Sequence, residues 1–275
     1  MTPAPGPAGA GLEVAGLTVR SGGQVAVDHL DLAAPLGRLT GLIGPNGAGK
    51  TSTFNACSGL LRPSAGRVTL FGEDVTRKGA AARARRGLGR TFQRMELFTS
   101  MTVAENVALA REARQAGSNP LRQQVATPRQ WAAVQAATTQ ALEVCGIAGI
   151  AGRVVGALST GQRRLVELAR VYAGDFRMLL LDEPSSGLDQ GESERFGAIL
   201  RTLVGERGLG ILLVEHDMEL VMSVCDDLYV LDFGELIFHG TPAQTRSSPV
   251  VRAAYLGSEA VMEAAGRSAG TGVTG

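Results

Sequence analysis

Apolar and polar positions alternate along residues 12–43 in short runs, LEVAGLTV, VAVDHLDL and RLTGLIG. That period predicts strands, the last of which opens directly into a glycine-rich turn. A helix is predicted from Lys50. After one more strand-like run, RVTLFGEDV, a basic stretch, RKGAAARARRGLGRTFQ, leads into helical spacing from about Val103 to Gly146, interrupted by the polar, proline-bearing QAGSNPLRQQVATPRQ. The second half returns to short solid apolar runs, RMLLLDEP, GILLVEHD and DDLYVLDFGELIFHG. Runs of that type suit strands buried on both faces of a mostly parallel sheet. The order predicts an α/β protein with a helical insert between two α/β halves. Residues 1–11 and 258–275 are low in complexity and are expected to be unstructured. The chain shows no internal repeat.

Composition narrows the class only a little. With 44% hydrophobic and 19% charged residues in 275, the chain can bury a full core. Its 27 basic and 26 acidic residues leave no bulk field toward nucleic acid or anionic lipid, so no nucleic-acid partner is expected. Cys57, Cys145 and Cys225 are widely spaced in apolar surroundings, which predicts buried free thiols in a reducing compartment. The start MTPAPGPAGAG has neither the basic nor the apolar part of a signal peptide, and no apolar run approaches a membrane span. If the protein works at a membrane, it borrows one.

Three stretches carry chemistry. GPNGAGKTS, residues 44–52, fits Gly, four residues, Gly, Lys, Ser or Thr. Its glycines let backbone N–H groups curl around phosphates, the following helix start adds a positive dipole end, Lys50 reaches the β and γ phosphates and the Thr51 hydroxyl suits Mg²⁺. The binding set read from it is Gly44, Pro45, Asn46, Gly47, Ala48, Gly49, Lys50, Thr51 and Ser52. In RMLLLDEP an apolar strand ends in two carboxylates, with Asp182 placed for a Mg²⁺-bound water and Glu183 one residue nearer the γ-phosphate, where it can polarise the attacking water. Alone, such a pair is more often a solvated strand end; a phosphate loop upstream reverses that reading. In LLVEHD, His216 is the only one of three histidines to follow a solid strand, and is predicted to contact the γ-phosphate. His29 and His239 read as surface or packing residues.

In this order the motifs resemble the nucleotide-binding subunits of ABC transporters, from about Leu12 to Gly257. LSTGQ, residues 158–162, is similar to the family signature LSGGQ with Thr160 in place of a glycine; Gln93 in RTFQ matches the Q-loop, SSGLD from Ser185 to Asp189 the D-loop, and His216 the switch histidine. The resemblance implies a P-loop NTPase core, an N-terminal antiparallel β subdomain and an inserted α-helical signature subdomain at about 94–172, within one ATPase domain of residues 12–257. It implies ATP and Mg²⁺ as ligands, with Glu183, His216 and Gln93 catalytic and Thr51, Gln93 and Asp182 around the metal. It also implies that Ser159, Gly161, Gln162 and Asp189 act across a two-chain interface, capping the ATP of a second ABC ATPase subunit. Leu165, Leu168, Ala169 and Tyr172 have core spacing in the signature helix, so Arg163 and Arg164 are expected on an outer face or near that interface.

Longer phrases, GLGRTFQRMELFTSMTVAENV, VEHDMELVMSVCDDLYVLDFGELIFHGTPAQ and VRAAYLG, resemble the ATPases of branched-chain amino acid importers and their amide or urea relatives. That resemblance implies a peripheral subunit on the cytoplasmic face of the cell membrane, two permease partners and an extracytoplasmic solute-binding protein contacted indirectly. Met95, Leu97, Phe98 and Met101 are then expected in a groove for a permease helix, or packed within the helical subdomain. ABC ATPases of DNA repair or translation, other ABC export or import systems, and a plain nucleotide kinase are the alternatives. The first usually carry tandem domains, coiled coils or a basic surface, absent here, and the last leaves LSTGQ and VEHD unexplained. Copurification with two membrane subunits separates these readings. One position departs from the family: Ser21 in VRSGGQVAV stands where an adenine-stacking aromatic is usual, and no Phe, Tyr or Trp precedes Phe54. The stacking partner is absent, comes from another segment, or is replaced by the Arg20 guanidinium with Val27 adding an apolar edge.

Overall fold

The alternating runs at the start fold as β1 (Leu12–Ser21) and β2 (Gln24–Ala34), antiparallel across Gly22 and Gly23, both at positive φ as so tight a turn requires. A computed structural model of the chain describes residues 10–91, 96–116 and 127–255. Strand β4 (Ala65–Leu70) pairs with the other edge of β1 and carries β5 (Glu73–Asp74), giving a four-stranded antiparallel sheet. Gly11 precedes β1, and its carbonyl accepts the Phe71 N–H at 2.7 Å.

The solid apolar runs build a second sheet from β3 (Leu39–Ile43), β6 (Leu88–Arg90), β7 (Met178–Asp182), β8 (Gly210–Val214), β9 (Asp227–Asp232) and β10 (Glu235–Gly240). Its order is β10-β9-β3-β8-β7-β6; the five from β9 to β6 are parallel, and β10 returns antiparallel through a tight turn. Strands β3, β7 and β8 are buried at every position, which is why they read as solid rather than alternating.

Helices cover both faces: α1 (Lys50–Ser58) on one, and on the other α3 (Val103–Ala116), α4 (Pro128–Val144), α5 (Thr160–Ala173), α6 (Gln190–Arg207) and α7 (Met218–Val224). Two short helices, α2 (Ala80–Arg85) and α8 (Pro242–Ser247), are also present. The period of two along the strands divides the core. Leu179, Leu181, Ile211, Leu213 and Val230 face the helical layer. Their neighbours Leu180, Leu212, Val214 and Leu231 face α1 and the antiparallel sheet. Apolar burial at about 25 cal/mol per Å² makes this double-sided packing the main force holding the sheet level beneath the site.

Helix α5 follows the predicted spacing except at one residue. Leu168, Ala169 and Tyr172 are buried and Leu165 is partly so, but Arg164 is buried as well, 5% exposed, instead of lying on an outer face. It stands four residues before Leu168, on the same helical face, and pairs with Glu167 one turn on at 3.1 Å. Arg163 keeps to the rim and donates to the carbonyls of Val155 and Gly156. All three cysteines are buried free thiols, and burial pushes Cys57 and Cys145 up to about 12. Among the described residues no helix is long and apolar enough to cross a membrane.

Candidate nucleotide and hydrolysis site

Parallel pairing aligns the ends of four neighbouring strands, β3, β8, β7 and β6, on one edge of the sheet. Leu42 and Asp182 lie level with Val214, and Arg90 with Leu180, so the residues that follow each strand converge from four distant parts of the sequence. A crevice beyond the carboxyl ends of such strands is the usual ligand position in open α/β sheets.

The loop after β3 needs its glycines. Gly44, Gly47 and Gly49 have φ of 149°, 82° and 96°, and a side chain on Gly44 would begin 2.1 Å from the Leu231 carbonyl oxygen. Pro45 and Ala48 are buried, while Asn46, Gly47 and Thr51 are exposed, with Ser52 partly so. Gly49 caps α1 without a side-chain hydrogen bond, which leaves first-turn N–H donors for an anion. Lys50 is 6% exposed, and its ammonium donates to the carbonyls of Gly44 at 2.6 Å and Pro45 at 2.8 Å. Burial lowers its pKa, against the pull of the nearby Glu183 and Asp182.

At the end of β7 the two carboxylates diverge. Asp182 is buried; burial raises its pKa, opposed first by Arg90, whose guanidinium lies 3.2 Å from Oδ2. Glu183 occupies the left-handed region at φ 47°, costly for a residue with a side chain, and its N–H donates to the Val214 carbonyl at 2.8 Å. That turn brings Glu183 Oε1 to 2.7 Å from His216 Nε2, past the end of β8. Half of the His216 side chain is exposed, so the pair faces open space.

Several residues here carried no predicted role. Arg90 is fixed by Asn55 Oδ1 at 2.8 Å and Ser58 Oγ at 2.7 Å, with its guanidinium over the Phe54 ring. Glu215, 3% exposed, accepts the Ser185 N–H at 2.7 Å and the His216 N–H at 3.1 Å, tying the loop after β7 to the loop after β8. Burial raises its pKa against those bonds. Tyr255 of VRAAYLG accepts the Gly44 N–H through its phenol oxygen, and burial pushes that phenol up to about 12. Only its place at the start of the polar cluster that ends the LLV run marked Glu215 in the sequence, and nothing local marked Tyr255.

Other predicted residues lie elsewhere. Ser159 and Gln162 form a reciprocal cap at the start of α5, and Asp189 with Glu192 forms another at the start of α6. Ser159, Gly161, Gln162 and Glu192 line a cavity of about 310 Å³ that no residue of 44–52 enters. A side chain on Gly161 would begin 2.3 Å from Glu192 Oε1, the end of a flexible side chain that would have to turn aside. Val27, expected to offer an edge to a base, is wholly buried under Gly49, while Val25, beyond an irregularity in the pairing with β1, is 42% exposed. Gln93 and Met95 lie outside the described residues.

A glycine phosphate loop, a buried lysine and aspartate, and a carboxylate–histidine pair on adjacent parallel strands define the P-loop ATPase class. The chain matches the family model "ABC transporter" over residues 27–186 and the model "Branched-chain amino acid ATP-binding cassette transporter" over 235–261. It is similar to the high-affinity branched-chain amino acid transport ATP-binding protein BraF of Pseudomonas aeruginosa, 39% identical over 90% of this chain and 97% of the relative. LivG of Escherichia coli K12, of the same description, is 37% identical over the same shares. Among solved structures, the ADP conformation of MJ1267, an ATP-binding cassette of an ABC transporter, superposes with a TM-score of 0.78 at 30% identity over 90% of this chain and 98% of that one. The chain belongs to the ABC transporter family, as one of its ATP-binding subunits.

Proposed function

We propose that this subunit hydrolyses ATP at a two-chain interface to power import of branched-chain amino acids or related small solutes through partner permeases. The observation that carries the hydrolytic role is the 2.7 Å contact between Glu183 and His216, held by a strained backbone beside Lys50 and Asp182. Glu183 orients the attacking water and takes its proton, while His216 holds the Glu183 carboxylate and faces the γ-phosphate. Lys50 leaves its loop carbonyls for the β and γ phosphate oxygens, and the first-turn N–H groups of α1 bind the phosphates. Thr51, exposed, and Asp182, which has Oδ2 on Arg90, are a donor set suited to Mg²⁺ with phosphate oxygens; the ion would neutralise charge on the phosphates. Gln93, outside the described residues, is assigned to sensing the γ-phosphate on the family resemblance alone.

Ser159, Gly161, Gln162 and Asp189 serve a partner's nucleotide. The separate cavity that Ser159, Gly161 and Gln162 line supports this reading, since no residue of the phosphate loop enters it. A cleft of about 740 Å³ beside Arg90 and Thr91, walled by Glu96, Ala110, Arg170 and Phe176, fits a segment of a permease. Phe98, exposed with the Arg170 guanidinium over its ring, stands next to it. Such a subunit works at the cytoplasmic membrane face on spans supplied by the permeases, with the solute-binding protein reached only through them. The importer assignment rests on the relatives named above and on the match over residues 235–261.

The test is Glu183→Gln, which keeps shape but loses the proton acceptor. ATP binding should persist while turnover falls by roughly a hundredfold to ten-thousandfold. A two-ATP dimer should accumulate in that variant, and Ser159→Arg should prevent it. Near-normal turnover in purified Glu183→Gln would remove Glu183 from the mechanism.

A further inference from the structure

The tight turn between β9 and β10 requires positive φ at both of its central residues, and the first of them is an exposed aromatic. Phe233 is 89% exposed, against 42–55% for the other exposed large hydrophobic residues among those described. Its φ is 43°, a region where an aromatic residue is a genuine outlier. Glycine or asparagine would suit that backbone better, and a polar side chain would suit the exposure better. The position is unfavourable for folding on both counts, and unlike Phe71, which takes a similar φ but lies against Arg177, Phe233 is left to solvent.

The turn lies beside the phosphate loop. Gly234, next in the chain, donates its N–H to the Ala48 carbonyl at 3.2 Å and accepts the Asp28 N–H at 2.8 Å. Its Cα lies 3.5 Å from where a side chain on Gly49 would begin. Phe233 is thus anchored through its neighbour to the loop that would hold the phosphates and to the stretch of β2 expected at the base. Val27 cannot serve there because it is buried, and residues 1–53 contain no Phe, Tyr or Trp. A nucleotide whose phosphates lie on α1 would project its base from this region with no Phe, Tyr or Trp from the first two strands to receive it.

We infer that Phe233 provides the aromatic face on which the nucleotide base stacks, in place of a ring from the N-terminal sheet. The inference rests on the phosphate-loop reading above. It accounts for a strained, exposed ring at a turn that touches both the phosphate loop and β2. It also makes recognition depend on a π-face, so adenine and guanine should be accepted with similar affinity.

The experiment measures binding of a non-hydrolysable ATP analogue, its GTP counterpart and inorganic triphosphate to the full chain and to Phe233→Asn, Phe233→Trp and Lys50→Ala. Asparagine tolerates the left-handed backbone, so Phe233→Asn should keep or raise the melting temperature while both nucleotides bind roughly tenfold to a hundredfold more weakly. Inorganic triphosphate should bind it as it does the wild type. In Phe233→Trp, the new indole should be quenched by either nucleotide and not by inorganic triphosphate. Wild-type nucleotide affinity in Phe233→Asn, with Lys50→Ala losing all three ligands, overturns the stacking role and leaves the phosphate site standing. Retention of all three ligands by Lys50→Ala overturns the phosphate site and the stacking role with it.

Discussion

Replacing Arg90 with methionine tests how much of the site is held together by one buried ion pair. The Arg90 and Asp182 side chains are 11% and 7% exposed, with N to O at 3.2 Å. At an effective dielectric of about 20 that separation corresponds to about 5 kcal/mol of attraction. Removing one partner of a buried pair costs about 3–5 kcal/mol, because the other charge is left without compensation. Methionine keeps much of the aliphatic stem but forfeits the guanidinium over Phe54 and the bonds to Asn55 and Ser58, so the upper half of that range is expected. Burial already raises the Asp182 pKa, and losing the cation should raise it further, leaving a carboxyl less able to serve a metal. The assay is a double-mutant cycle by urea unfolding of the nucleotide-free subunit, with Arg90→Met, Asp182→Asn and the combination. The combined variant should recover a large part of the single-mutant loss, with a coupling of about 2 kcal/mol or more. Singles that add to within about 0.5 kcal/mol, or an Arg90→Met midpoint equal to wild type, would refute the reasoning.

Two other perturbations follow from the same geometry. Burial pushes Asp226 up, but the Arg201 guanidinium at 2.8 Å and the Leu39 N–H at 2.8 Å more than offset it, so its carboxyl titrates below the ordinary range. The folded state then binds fewer protons than the unfolded one, and the stabilisation, present above the unfolded value of about 3.9, is lost as pH falls through the folded value. Asp226→Asn should therefore be less stable than wild type near neutrality, with the gap closing in acid; an equal gap at both ends of a urea–pH series would count against it. Phe98→Asp, at a 49% exposed ring beside the cleft, should leave ATPase activity of the isolated subunit intact but cut transport by the assembled complex about tenfold or more, the scale of losing an aromatic anchor. Unchanged transport would remove Phe98 from the docking surface.

The sequence alone determined the parts whose physics is local. A loop that must take positive φ at Gly47 and Gly49 and then start a helix admits few residues, so GPNGAGKTS was legible as a phosphate loop. Strands buried on both faces admit almost only apolar residues, so β3, β7 and β8 were legible as solid runs with chemistry at their ends. What the tertiary structure decided is everything that depends on which strands lie side by side. Residues 44–52, 182–183 and 216 meet because β8 inserts between β3 and β7, and no periodicity within a strand encodes its neighbours. Burial of individual side chains escaped for a related reason. Arg164 is inside because Glu167 compensates it there, and Val27 is inside because Gly49 lets the phosphate loop close over it. Tyr255 reaches Gly44 from the far end of the described chain, a contact that exists only after both ends of the fold have packed on the same sheet.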